Sequence, residues 1–347
     1  MHRKTLNEEM TMTHRTRALR GTGTIAAALI AALAFTGCAG GGSATDGANG
    51  ADGEGDTAQL TVLHAPINYE VVYLAEEQGF FDEVGLDVTI TPGGTAQDNL
   101  GQLAGGSADL SIISWDTAVT ATAEGLPIKV ISNNAIISNE IDTSGVVVRD
   151  DSGITTMADL EGKTIAFNSI GSGGNVPVLQ ALKDAGVDPD TVEQVALPYA
   201  SMQAALENSQ VDAIFPSDSF YAQTIAVEEF EVISNPSREY RGGLGITLWA
   251  ATEQWLAENE ETAEKFNEAM QKAVDFYNDP ANEDAIYQVR ADVTGRSLDE
   301  VKSPLIEFDL ATDAEVSQNT TDALVEFGLA QNAKTVDEIL WEGAPRK

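Results

Sequence analysis

Cysteine is nearly absent from this chain, and histidine is scarce. Cys38 is the single thiol among 347 residues, which excludes an intramolecular disulfide framework and any cysteine-based zinc site. Of three histidines, only His64 lies beyond residue 14. A nucleophile–histidine–acid triad therefore has almost nothing to draw on. HExxH, a P-loop lysine motif and a strand-bound GxGxxG are missing as well. Positive charge is short: 19 Lys and Arg face 55 Asp and Glu, for a formal net charge of −36. Such a field repels nucleic acid and anionic headgroups, and no nucleic-acid partner is expected. With so many acids, carboxylate pairs arise by chance and say nothing about glycoside chemistry. No run reaches membrane-spanning length either: the apolar stretch Gly21–Gly37 has about 17 residues where a span needs roughly 20.

That stretch follows Arg15, Arg17 and Arg20 and ends in Phe35-Thr36-Gly37-Cys38. A basic start, a short apolar run and small residues before the cut predict a secretory signal peptide over residues 1–37, absent from the mature protein. Its end resembles the lipobox of bacterial lipoproteins, with Phe35 where Leu is usual. The resemblance implies a lipid anchor on Cys38 and a place on the outer face of the cytoplasmic membrane. Residues 38–58 are rich in Gly, Ala and Asp, with no large apolar side chain before Leu60. They cannot bury enough surface to fold and read as a flexible tether.

From Leu60 onward, short β-rich runs alternate with helical ones. Strands are expected at 60–64, 86–91 and 109–113, helices at 69–78, 97–104 and 116–124. The alternation predicts parallel sheets with crossover helices. The chain then repeats its plan: Pro92 pairs with Pro198, Thr95 with Ser201, Gln97 with Gln203, Asp109 with Asp212. Strand 60–64 before loop 65–68 likewise pairs with strand 164–167 before loop 168–175. Two similar α/β lobes follow. Their equivalent loops, at the carboxyl ends of strands, should face one cleft. From Thr252 the pattern is purely helical, with helices expected at 252–259, 260–277, 281–292, 314–329 and 335–341. They would wrap one lobe and buttress the hinge.

Residues 73–88 (YLAEEQGFFDEVGLDV), 103–109 (LAGGSAD), 159–166 (DLEGKTIA) and 211–213 (VDA) come in that order. They resemble segments of binding proteins that serve ABC importers of nitrate, sulfonates, taurine and thiamine-pyrimidine precursors. The resemblance covers roughly residues 59–340. It implies an α/β, two-lobed periplasmic-binding-protein type II fold with two hinge crossovers, near 141–148 and 241–249. Lobe one would be 59–143 plus 245–340, and lobe two 144–244. It implies a monomer without cofactor or metal, whose partners are a small-molecule ligand and the permease of an ABC importer. Fungal pyrimidine synthases share the fold but carry a cysteine-rich motif that this chain cannot supply. Binding is therefore expected, not catalysis; an enzyme or a sensor lipoprotein on the same fold is the alternative.

The candidate ligand contacts follow from the paired loops. Loop 168–175 brings Ser169, Ser172, Gly173 and Asn175 before a helix, where backbone amides and the helix dipole suit an anion or polar atom. Ser114 and Ser217 stand at symmetric strand ends, where each could equally cap its helix. Trp115 offers a flat surface for a ring or an apolar tail. Asn68, Tyr69, Gly94, Thr95, Tyr199 and Asp218 complete the set. No Arg or Lys falls in these loops, and Arg149 and Arg241 lie near the hinges. A sulfonate or nitrate would then rest on hydroxyls and amides, or on Arg241. A neutral ring such as a pyrimidine precursor suits the aromatic residues about as well.

Overall fold

A computed structural model describes residues 57–170 and 173–347. The expected signal peptide, nearly all of the tether, Cys38 and Ser172 lie outside the described residues.

The first stretch runs β1 (Ala58–His64), α1 (Glu70–Glu77), α2 (Phe80–Glu83), β2 (Leu86–Pro92), α3 (Ala96–Ala104), β3 (Leu110–Ile113), α4 (Trp115–Ala123), β4 (Ile128–Asn133) and β5 (Ala135–Ile136). The second runs β6 (Val146–Arg149), β7 (Thr164–Phe167), α5 (Val176–Asp184), β8 (Glu193–Ala196), α6 (Tyr199–Glu207), β9 (Ala213–Ile214), α7 (Asp218–Ile225), β10 (Phe230–Ser234) and α8 (Pro236–Arg241). The chain then returns through β11 (Leu248–Thr252), α9 (Glu253–Asn278), α10 (Glu283–Thr294), α11 (Leu298–Val301), β12 (Glu307–Phe308), α12 (Ala314–Glu326) and α13 (Val336–Ile339).

Two five-stranded sheets result, ordered β2-β1-β3-β11-β4 and β10-β6-β9-β7-β8. They are not purely parallel. In each sheet four strands share a direction, and one strand beside a crossover, β11 or β6, lies antiparallel between two of them. A strand arriving from the other lobe enters its sheet from the opposite end, which no crossover helix corrects.

Period-two burial fixes which side chains meet. In the second sheet Val146, Val148, Ile165 and Phe167 pack on one face with Leu179 and Leu182. Val147, Ala166 and Ile214 turn to the other face, against Met202 and Leu206. Both faces are covered, as a largely parallel sheet requires. The first lobe packs its strands against α1, α4 and α9 around Trp249 and Phe266, both fully buried.

The internal repeat is physical. Asp109 Oδ2 accepts from the Thr61 amide at 2.8 Å, and Asp212 Oδ2 accepts from the Thr164 amide at 2.9 Å, each across 48 residues. In both lobes the aspartate's own amide donates back to the same threonine's carbonyl. Each aspartate thus clamps its lobe's first parallel strand, at the middle of β1 and at the start of β7, to the entry of its third.

Past Thr252 the chain is mostly helical, with one exception. β12 pairs antiparallel with β5 as a small separate sheet. The helices expected at 252–259 and 260–277 are both present, joined end to end within α9 at Asn259, whose φ of −135° and ψ of 31° are non-helical and whose side chain donates to the Trp255 carbonyl. α9 packs on α1, α2 and β4, while α12 touches α4 and α13 as well as α5 and α8. An ion pair between Lys183 on α5 and Glu326 ties α12 to the second lobe. Among the described residues, no helix is long and apolar enough to cross a membrane.

Candidate functional site

The carboxyl ends of β3, β7, β8 and β9 converge on one cavity of about 350 Å³, closed on one side by residues 237–246 of the returning crossover. The second lobe contributes all three of its strand-end loops. The first contributes only the β3–α4 loop, together with Ile137. Phe167, Phe215, Pro177, Leu244 and Ile137 supply an apolar wall.

Six of the expected contacts line this cavity: Ser114, Trp115, Ser169, Asn175, Tyr199 and Ser217. They do so in different ways. Ser114 caps α4, its Oγ accepting from the Thr117 amide at 3.2 Å. Ser217 stands at the same position before α7 without using its side chain as a cap, so its hydroxyl remains for other partners. Tyr199 opens α6 and stacks on Phe220, with ring centroids 5.7 Å apart and planes 24° apart. Asn175, only 2% exposed, donates from Nδ2 to Gln194 Oε1 at 2.8 Å. Its Oδ1 has no hydrogen-bond partner among the described residues.

Trp115 is not a free stacking face. It is 1% exposed, and its indole N–H donates to Thr321 Oγ1 of α12 at 3.1 Å. The indole N–H is thus spent on the C-terminal helix, although the residue also lines the cavity.

Asn68, Tyr69, Gly94, Thr95 and Asp218 stand outside the cavity lining, and their local bonding explains most of this. Tyr69 packs on His64 and Tyr73, with centroids 5.4 and 6.1 Å away. Thr95 forms a reciprocal capping box with Asp98 at the start of α3. The Gly94 amide donates to Asn99 Oδ1, and the Asn68 carbonyl accepts from Asn134. Asp218 is exposed, with a φ of 52°. The structural register pairs Ser114 with Ser217, which matches Asp218 to Trp115 and not to Asp116. Gly173 opens the short turn before α5, and its neighbour Gly174 lines the cavity.

His64 ends β1 and is 3% exposed. Its Nδ1 lies 2.6 Å from the Ala65 carbonyl and its Nε2 3.2 Å from the Tyr73 hydroxyl. A carbonyl only accepts, so Nδ1 carries the proton and Nε2 takes the hydroxyl's. Burial pushes the imidazole pKa below its ordinary 6.5.

Two further polar residues line the cavity: Arg241, which the sequence offers only as an alternative holder of an anion, and Asp116, which it does not single out. Arg241 ends α8, is 5% exposed and donates from Nη1 to Asp116 Oδ2 at 3.1 Å. Its Nε and Nη2, and Asp116 Oδ1, have no hydrogen-bond partner among the described residues. Nε–H and one Nη2–H lie on the same edge of a guanidinium and point the same way. That edge matches two oxygens of a carboxylate, sulfonate or related oxyanion. The usable sequence signal was an arginine near a crossover; its aspartate partner lies 125 residues away.

Two α/β lobes joined by two crossovers, with a cleft at their strand ends, define the fold of the periplasmic binding proteins. The periplasmic aliphatic sulphonate binding protein SsuA of Escherichia coli shares it, with a TM-score of 0.66 at 18% identity over 83% of this chain and 94% of that one. A family model described as NMT1/THI5 like matches residues 67–283, and the chain belongs to that family. The candidate binding protein YtlA of Bacillus subtilis (strain 168) is 23% identical over 71% of this chain and 73% of its own length. A 4-amino-5-hydroxymethyl-2-methylpyrimidine phosphate synthase of Aspergillus parasiticus is 26% identical over 62% of this chain. The match spans 65% of that enzyme, just under two thirds.

Proposed function

We propose that this chain is an extracytoplasmic solute-binding protein that captures a small organic or anionic solute and delivers it to an ABC importer. The observation that carries the reading is the second edge of Arg241: this residue lines the interlobe cleft, and its buried Nε and Nη2 have no hydrogen-bond partner among the described residues. Buried polar groups are normally satisfied, and a group left open in a cleft is a place for a ligand. A solute of the sulfonate, nitrate or taurine type fits that edge. The second reading is a thiamine-pyrimidine precursor, supported by the stacked Tyr199–Phe220 pair at the cleft and by the names of the fungal relatives. Those relatives are named as synthases, but Cys38 is this chain's only cysteine, which supports binding over their chemistry.

The closing units would be lobe one, residues 59–143 plus 245–340, and lobe two, residues 144–244, hinged near 141–148 and 241–249. Closure is worth only the ligand's differential affinity for the closed state. The signal peptide and Cys38 would place the protein, as a monomer, on the outer face of the cytoplasmic membrane. Cys38→Ser should then release it to the soluble fraction; retention on membranes in high salt would sink the anchor.

A thermal-shift screen of sulfonates, nitrate, taurine, pyrimidines and aromatic acids tests the core of the reading. A ligand at about 100 times its Kd adds roughly 2.7 kcal/mol of stability. Arg241→Gln should weaken an anionic hit by about tenfold or more. Equal binding by both proteins would remove the cleft from consideration.

A further inference from the structure

We propose that the solute held here is an amino-substituted organic acid, one molecule carrying both an oxyanion and an N–H donor around an apolar body. The inference rests on the binding role proposed above and narrows its ligand class.

Three residues that line the cavity carry buried donors and acceptors left unmatched. Among the described residues, Arg241 Nε and Nη2 are donors with no hydrogen-bond partner, and Asp116 Oδ1 and Asn175 Oδ1 are acceptors with none. Arg241 and Asn175 are 5% and 2% exposed, so neither recovers its bonds by turning to bulk water. A simple anion answers only the arginine. It leaves both acceptors unmatched and brings a second negative charge toward the Asp116 carboxylate. A ligand with an amino group answers all of these groups.

Charge points the same way. Arg241 is already balanced by Asp116 at 3.1 Å. A monoanion would leave that trio at a net −1, inside a chain whose formal charge is −36. An amino acid-like zwitterion leaves it neutral and crosses the acidic field without a penalty.

Size completes the case. About 350 Å³ is the room of roughly ten waters at about 30 Å³ each, so an ion of four atoms fills a small fraction. Phe167, Phe215 and Leu244 require apolar contact from whatever fills the remainder.

The test is calorimetric titration of the folded protein with pairs of acids that differ only in an amino or methyl terminus. The pairs are taurine and propanesulfonate, γ-aminobutyrate and pentanoate, and para-aminophenylacetate and para-methylphenylacetate. In the best-binding pair the amino member should bind about tenfold tighter or better. Asp116→Asn should shrink that preference toward parity, and Asn175→Asp, which keeps the volume and adds charge at a helix start, should widen it. Arg241→Lys, which keeps the charge but loses the fork, should weaken both members. Equal or tighter binding of the methyl members overturns the inference and leaves the solute-binding role standing. If no acid binds and a neutral pyrimidine does, the inference and the anionic ligand fall together. Binding of nothing in the panel, by protein shown to be folded, counts against the inference and the role alike.

Discussion

Arg241 and Asp116, 125 residues apart, meet at 3.1 Å through one guanidinium edge, and the other edge has no hydrogen-bond partner among the described residues. The pair joins α8 of the second lobe to α4 of the first, so its geometry depends on how the lobes meet. Such pairs are weak sources of stability, because desolvation offsets much of the attraction.

Replacing both partners by apolar residues, Arg241→Met with Asp116→Leu, should raise the stability of the ligand-free protein by about 1–4 kcal/mol while abolishing binding. Arg241→Met alone should cost about 1–3 kcal/mol, less than a fully buried pair, since the Asp116 side chain is 28% exposed and can rehydrate. Urea denaturation measures both. A double variant less stable than the single one would show that the pair is there for stability.

Trp115 should behave as core. Trp115→Ala is expected to destabilise by about 3–5 kcal/mol, and Thr321→Val, which strands the indole N–H, by about 1–3 kcal/mol. If Trp115→Ala instead left the denaturation midpoint unchanged and cost only affinity, the ring would have to face the solute.

The two clamps at Asp109 and Asp212 should be energetic equivalents. Asp109→Ala and Asp212→Ala each leave a strand amide without its acceptor, for a loss of about 1–3 kcal/mol apiece. The losses should match within about 0.5 kcal/mol and add in the double variant, because the two sites lie in separate sheets. Strong non-additivity would mean that the lobes unfold through a shared contact.

Buried His64 predicts a pH dependence of defined sign. Its folded pKa lies below the ordinary 6.5 because burial disfavours the imidazolium. As pH falls, the unfolded chain takes the proton first. The stability gained from keeping the ring neutral is full above about 6.5 and is lost as pH drops below it. Between about pH 7.5 and pH 5 the wild type should therefore lose more stability than His64→Gln. Parallel melting-temperature profiles would mean that the imidazole titrates alike in both states.

Much of the architecture was legible in the sequence because it rests on short-range chemistry. Gly79, in the left-handed region at φ 74°, follows α1 where the sequence reading stops that helix. Ser114 caps α4 through a bond three residues long, one of the two roles its place before that helix suggests. The alternation of Val146, Val147 and Val148 between faces needs only the period of a strand. The division between the helices 252–259 and 260–277 was visible as a break in pattern, and the backbone leaves helical geometry there, at Asn259.

The site was legible only in outline. Residue order and repeat placed loop 168–175 and the serines at strand ends, because equivalent loops follow equivalent strands. The direction in which Trp115 points was beyond such reasoning, since the Thr321 that receives its N–H lies 206 residues further on. Tyr69 was drawn into the His64–Tyr73 aromatic group by contacts that a loop position does not encode.

The sequence by itself determined the alternation of strands and helices, the caps and the doubled lobe, because each depends on neighbours a few residues away or on repetition of the same local pattern. Only the tertiary structure decided which polar groups meet in the cleft and which are left open. Arg241 and Asp116 come together through the packing of α8 against α4, and a partnership across 125 residues is set by the placement of whole elements.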